Sequence, residues 1–168
     1  MMKFAMIALG AIFLGGCASE YSWTPMVPSE MRTVAVPTFR NESNVVELGS
    51  VMSREVLREF QREGTFVIKR SDDASLEVQG VVKGVAENGE SYNRRAGYRT
   101  SAYELTAEVD ISVIDRKNSR VLVDNRRYVA RTTLTVMQDL STAERDASGR
   151  LAVDLAHQVV DDVLNLKW

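Results

Sequence analysis

One cysteine, one histidine and three prolines in 168 residues set the first limits. A lone cysteine forms no intrachain disulfide and no cysteine metal cluster, so the fold must hold by packing alone. The lone histidine, His157, stands between Ala156 and Gln158, one step off an apolar helical stripe. It reads as a flank residue rather than a base or ligand. The adjacent carboxylates Asp72-Asp73 and Asp161-Asp162 point in different directions on a strand or helix, so neither makes a hydrolase dyad. Gly-rich phosphate loops, nucleophile elbows and HExxH motifs are missing as well. A strong charge of one sign is also lacking: 21 basic and 23 acidic residues leave a formal net charge of -2, which does not favour a nucleic-acid partner. The expectation is a non-enzyme without cofactor or metal, acting by binding or scaffolding.

What is present starts at the N-terminus. Lys3 supplies a short positive region, and Phe4 to Leu14 is apolar but too short to cross about 30 Å of hydrocarbon as a helix. Leu14-Gly15-Gly16-Cys17 then resembles a bacterial lipobox. The resemblance implies removal of residues 1–16 as a signal peptide, and covalent diacylglycerol and N-acyl lipid on Cys17. Several acyl chains at about 0.8 kcal/mol per buried CH₂ make a stable anchor. Ala18 and Ser19 carry no aspartate, as in lipoproteins sorted to the outer membrane and facing the periplasm.

Residues 17–31, with Pro25 and Pro28, read as a lipidated tether, and residues 32–168 as a single domain. Thr33 to Val36, closed by Pro37, is a short apolar run that fits a strand buried on both faces. Phe39 to Asn44 reads as a polar turn with cap-type side chains. From about Val45, apolar residues Leu48, Met52, Val56 and Phe60 recur at helical spacing until Gly64. Thr65 to Lys69 reads as a strand, and Ala74 to Ala86 as another with Gly80 and Gly84 on its core face, where a helix is expected to approach closely. Tyr103 to Ile114 alternates strictly and turns at Asp115 to Ser119 into a last strand, Arg120 to Leu134, with a bulge near Asn125 to Arg127. Ser141 to Glu144 matches a capping box opening a final helix, whose stripe is Ala147, Leu151, Leu155, Val159 and Val163. The order β-α-β-β-β-β-α predicts an α+β two-layer sandwich, a mixed β-sheet of four to five strands with two helices on one face.

Two basic sets are candidate anion sites. Glu87 to Ser101 reads as a fifteen-residue connection carrying Arg94, Arg95 and Arg99 beside Tyr92 and Tyr98. Arg126, Arg127 and Arg131 lie on the last strand. Guanidinium forks match phosphate bidentately, while a solvated hairpin tip and a charged edge strand that blocks aggregation remain the plain alternatives.

The lipobox, Tyr21-Ser22-Trp23, Thr33 to Asn41, the hairpins and the closing Asn165-Leu166-Lys167-Trp168 together resemble LptE, the outer-membrane lipoproteins of lipopolysaccharide assembly. That resemblance implies a sheet with two helices on one face, a place as a plug inside the outer-membrane barrel LptD, and basic residues contacting lipopolysaccharide. A periplasmic-facing regulatory or secretion-channel lipoprotein of the CsgG, TolB N-terminal or LpoB type is the other reading. Those families share an apolar strand, Phe-x-Asn and a helix.

Overall fold

A computed structural model describes residues 27–93, 99–135 and 140–168, without the side chains of 88–93, 99–102, 135 and 140–142. Strands β1 (Thr33–Ala35), β2 (Arg40–Asn41), β3 (Val67–Ile68), β4 (Leu76–Asn93), β5 (Arg99–Asp115) and β6 (Arg120–Thr135) form one mixed sheet with helices α1 (Leu48–Glu63) and α2 (Leu140–Leu164). The spatial order is β3-β1-β4-β5-β6, with β2 also paired to β4. The architecture is the expected α+β sandwich, with six strands among the described residues rather than four to five.

The extra strand is β2, which falls in the stretch read as a polar turn. Its Arg40 and Asn41 pair in parallel with Val81 and Val82 of β4, on the edge that β1 occupies through Val34 and Ala35. Ladder bonds are made by the backbone, so polar residues join a sheet wherever the chain is held beside it. Between β1 and β2 lies Pro37, which has no N–H to offer. Asn41 also pins the next turn, its Nδ2 donating to Val45 O at 2.8 Å and its Oδ1 accepting from Ser43 N at 3.0 Å.

Helix α1 consequently starts at Leu48, three residues later than periodicity suggested, after Glu47 in a left-handed conformation at φ 64° with no side-chain cap. Leu48, Met52, Val56 and Phe60 are all buried. Gly64 ends the helix at φ 83°, its N–H bonding Phe60 O at 3.2 Å, a left-handed closure that glycine adopts without strain. Helix α2 buries its whole expected stripe and the flanking Ala152, Ala156 and Val160. It begins at Leu140, which places Ser141 inside the first turn rather than at the cap. The Ser141 side chain lies outside the described residues, and Glu144 is exposed.

Both helices pack on the face bearing Leu76, Val78 and Val82 of β4 and Leu105, Ala107, Val109, Ile111 and Val113 of β5. Gly80 does face this core, but its close neighbour is an aromatic ring rather than a helix. A Cβ on Gly80 would lie 2.6 Å from Phe39 ring carbons. Gly84 is off the core face, because a register shift between Val82 and Gly84 reverses the alternation and sets Gly84 opposite Glu108 on the outer side. The expected bulge in β6 is present: Asn125 takes φ 41° and its N–H donates to Ser112 Oγ at 3.0 Å.

The core reaches back to Val27 and Met31. Arg32 Nε donates to Val27 O at 3.1 Å, while Ser75 Oγ and Lys117 Nζ donate to Glu30 O at 2.5 and 3.1 Å. The chain therefore enters the domain beside the β5–β6 turn.

Candidate functional site

Strands β4 and β5 pair from Leu76↔Asp115 to Asn93↔Arg99. At about 3.3 Å per residue the ladder is on the order of 55 Å long. The fifteen-residue connection expected over 87–101 is thus mostly strand, since pairing supplies an order that the hydrophobic pattern of this polar stretch did not signal. Of the first basic set, Arg99 stands opposite Asn93 at the far end of the ladder from Glu30 and Lys117. Arg94 and Arg95 lie outside the described residues, as does Cys17.

The second set divides between two faces of β6, the edge strand. Arg126 stands opposite Ile111 in the ladder, on the helix side. One of its guanidinium nitrogens donates to Asp162 Oδ2 at 2.7 Å, and Tyr128 Oη donates to the same oxygen at 2.7 Å. Burial, together with that bond to Asp162, pushes the Tyr128 hydroxyl up to about 12. Arg127 and Arg131 stand on the outer face. Arg127 Nε donates to Asp110 Oδ1 at 3.0 Å and a second nitrogen lies 3.4 Å from Glu108, which raises the guanidinium above its ordinary value. Arg131 Nε is 3.9 Å from Glu104 Oε1.

This arrangement has a chemical consequence. The outer face of β5 presents Glu104, Glu108 and Asp110, one carboxylate more than the two guanidiniums facing them from β6. An incoming phosphate would meet a surface whose positive charge is already compensated by carboxylates. The counter-charges were legible in the alternation of β5 as Glu104, Glu108 and Asp110. Their register against Arg127 and Arg131 was not.

His157 stands on α2 against α1. Its Nδ1 is 3.2 Å from Glu59 Oε1 and 3.2 Å from an Arg62 guanidinium nitrogen, the partnered flank position expected of it. A shallow groove of about 580 Å³ runs alongside, lined by both signs of charge, including Glu55, Arg58, Arg150 and Asp154. Of the acidic pairs, Asp72 and Asp73 are exposed, and Asp162 serves Arg126 and Tyr128. Among the described residues no three His, Cys, Asp or Glu side chains are grouped to hold a metal ion. Among them, too, no helix is long and apolar enough to cross a membrane.

Comparison with known proteins places this geometry. Among solved structures the fold is similar to a Xanthomonas campestris protein at TM-score 0.55 and 11% identity, covering 82% of this chain and 88% of that one. A Chlamydia trachomatis protein aligns at TM-score 0.53 and 11% identity, covering 80% of this chain and 96% of the other. A minor lipoprotein from Acinetobacter baumannii aligns at TM-score 0.50 and 13% identity, covering 80% and 93%. At these identities the likeness is one of fold. No curated protein sequence matches significantly. The family model described as LptE, lipopolysaccharide-assembly, matches residues 31–163, which runs from the buried Met31 to the last buried valine of α2. The chain therefore belongs to the LptE lipopolysaccharide-assembly family.

Proposed function

We propose that this protein is a lipid-anchored outer-membrane lipoprotein that binds and plugs an LptD-type barrel and assists insertion of lipopolysaccharide into the outer leaflet. The observation that carries the reading is the family match over residues 31–163. The family's described role is lipopolysaccharide assembly, and the reading takes from it a non-enzymatic part at the outer membrane. Lipidation of Cys17 after removal of residues 1–16, a tether up to the docked Val27 and a single folded domain beyond it complete the proposal. A tether of ten residues extends at most about 36 Å, less than the length of the β4–β5 ladder. An anchor at the Glu30 end makes the Asn93–Arg99 end of the ladder the one farther from the anchor along the sheet.

Affinity purification through a tag on Trp168, from detergent-solubilised outer membranes, is expected to recover a large barrel protein in stable proportion. Recovery of peptidoglycan enzymes alone would overturn the plug reading. The second test concerns anion contact. Because Arg126, Arg127 and Arg131 are already engaged by carboxylates, we assign the larger share of lipid A phosphate contact to the tip set. Simultaneous Arg94→Glu, Arg95→Glu and Arg99→Glu is expected to weaken lipopolysaccharide binding in a salt-dependent way, with thermal stability nearly unchanged. Binding equal to wild type at low salt would leave the tip as a spacer or a protein contact.

A further inference from the structure

The sheet has two edges that differ in kind. β3, at one end, is only the two residues Val67–Ile68, too short to template another strand. β6, at the other, is a strand of 16 residues, and a long unpaired edge of that sort invites strand addition. In this fold the stretch of that edge from Val129 to Thr133 is occupied from within the chain. Val129 O accepts from Gln158 Nε2 at 3.4 Å, Arg131 N–H donates to Asp154 Oδ2 at 3.0 Å, and Thr133 O accepts from an Arg150 guanidinium nitrogen at 2.8 Å. Arg150 Nε also donates to Thr132 Oγ1 at 3.0 Å.

The match is geometric as well as chemical. Along the strand, successive outward-facing residues are about 6.7 Å apart, two residues at 3.3–3.4 Å each. On an α-helix, side chains four residues apart rise by about 6.0 Å. Gln158, Asp154 and Arg150 are spaced by four, so descending α2 keeps pace with ascending β6. The short Asp154 meets the middle rung, and the longer Arg150 and Gln158 absorb the accumulated mismatch at either end. Donor, acceptor and donor on the helix face acceptor, donor and acceptor on the strand. One turn further, Asp162 extends the same column to Arg126 and Tyr128 through their side chains.

We infer that the polar column Arg150, Asp154 and Gln158 is an edge lock: over Val129 to Thr133 it takes the hydrogen-bonding positions of a seventh strand and so blocks pairing of β6 with the β6 of a second copy of this chain. A second copy is the competitor because two identical long edges meet antiparallel about a two-fold axis and close in a self-complementary interface. The lock keeps the domain a single copy with its outer sheet face continuous. It stands independently of the barrel proposal.

The test is the full chain in density-matched detergent carrying Arg150→Ala, Asp154→Ala and Gln158→Ala together, compared with an Arg145→Ala, Asp161→Ala control off the column. With the lock removed, sedimentation equilibrium is expected to show concentration-dependent dimers for the triple variant alone, and the Arg131 amide to exchange at least about tenfold faster when kept dilute. If the triple variant loses its native circular dichroism, Asp154→Ala alone carries the same measurements. A native-like variant that stays monomeric at every concentration reached by the dimerising range of ordinary edge-paired proteins overturns the inference, as does dimerisation of the control to the same extent.

Discussion

Replacing Phe39 by alanine is expected to destabilise the domain by about 3–5 kcal/mol, the usual cost of emptying a fully buried phenylalanine site. Phe39 is 3% exposed, and its ring lies over Gly80 on β4, an interior strand of the sheet. A glycine there removes side-chain packing from the centre of a sheet, and the aromatic ring restores it from the neighbouring segment. The reciprocal substitution tests the pair. A Cβ on Gly80 would sit 2.6 Å from the ring, closer than real Cβ contacts allow, so Gly80→Ala is expected to cost about 1–3 kcal/mol by overpacking. Placed on the Phe39→Ala background, Gly80→Ala should become nearly neutral, a coupling that denaturant titration of the four proteins measures directly. Additive effects would show that the ring is held by something other than the glycine. Phe39 O also contacts the position a Cβ on Gly49 would occupy, so this one residue sets the approach of β2, α1 and β4 together.

Asp115 carries the second large effect. It is 0% exposed at the end of β5, and its carboxylate accepts from Lys117 N at 3.0 Å, Asn118 N at 3.1 Å and Asn118 Nδ2 at 2.8 Å. Burial by itself pushes such a carboxyl up, but the Asn118 side chain, the two backbone N–H groups and the Arg120 charge outweigh it and hold Asp115 below its ordinary value. A carboxyl whose folded pKa is lowered contributes stability that is complete above the unfolded value near 3.9 and is lost as pH falls through the folded pKa. Asp115→Ala is therefore expected to cost about 1.5–3 kcal/mol at neutral pH and to lose this part of the acid sensitivity. Melting temperatures measured from about pH 7 down to about pH 3 should fall less steeply for the variant than for wild type in the acid limb. Parallel acid limbs would remove Asp115 from the pH dependence. The turn it caps is also where Lys117, together with Ser75, receives Glu30 of the incoming chain, so its loss should raise exchange of the Lys117 and Asn118 amides first.

Much of the architecture was legible because apolar periodicity is written by the core itself. Leu48, Met52, Val56 and Phe60 on α1, and Ala147 through Val163 on α2, are spaced for one buried helix face, and all are buried. Leu105, Ala107, Val109, Ile111 and Val113 alternate because the opposite face of β5 meets water. The bulge at Asn125 was visible as a break in that alternation. Elements held by backbone pairing left no such trace. β2 consists of Arg40 and Asn41, both exposed, and the outer reach of the β4–β5 ladder is polar, so neither differs in composition from a loop. Gly84 was assigned to the wrong face because the register shift after Val82 depends on how β4 sits against β5.

The candidate site shows the same division. Arginine positions and their acidic neighbours can be read along the chain, but whether a guanidinium is available depends on its partner. Arg126 meets Asp162 from 36 residues away, and Arg127 meets Asp110 from 17. The polar column of α2 is plain in retrospect as Arg150, Asp154, Gln158 and Asp162 at a constant spacing of four beside the apolar stripe. Its purpose depends on the strand it lies against.

By itself the sequence determined the class of this protein: an α+β sandwich held by packing, with a lipobox-like start and the strings of the LptE family, because local periodicity and short motifs survive without knowledge of distant neighbours. Only the tertiary structure decided that Phe39 fills the hollow over Gly80, that the β6 arginines are matched by carboxylates, and that α2 side chains engage the sheet's long edge from Val129 to Thr133. Those are pairings between residues far apart in the chain, and pairing is settled by register and close packing, which a linear pattern does not contain.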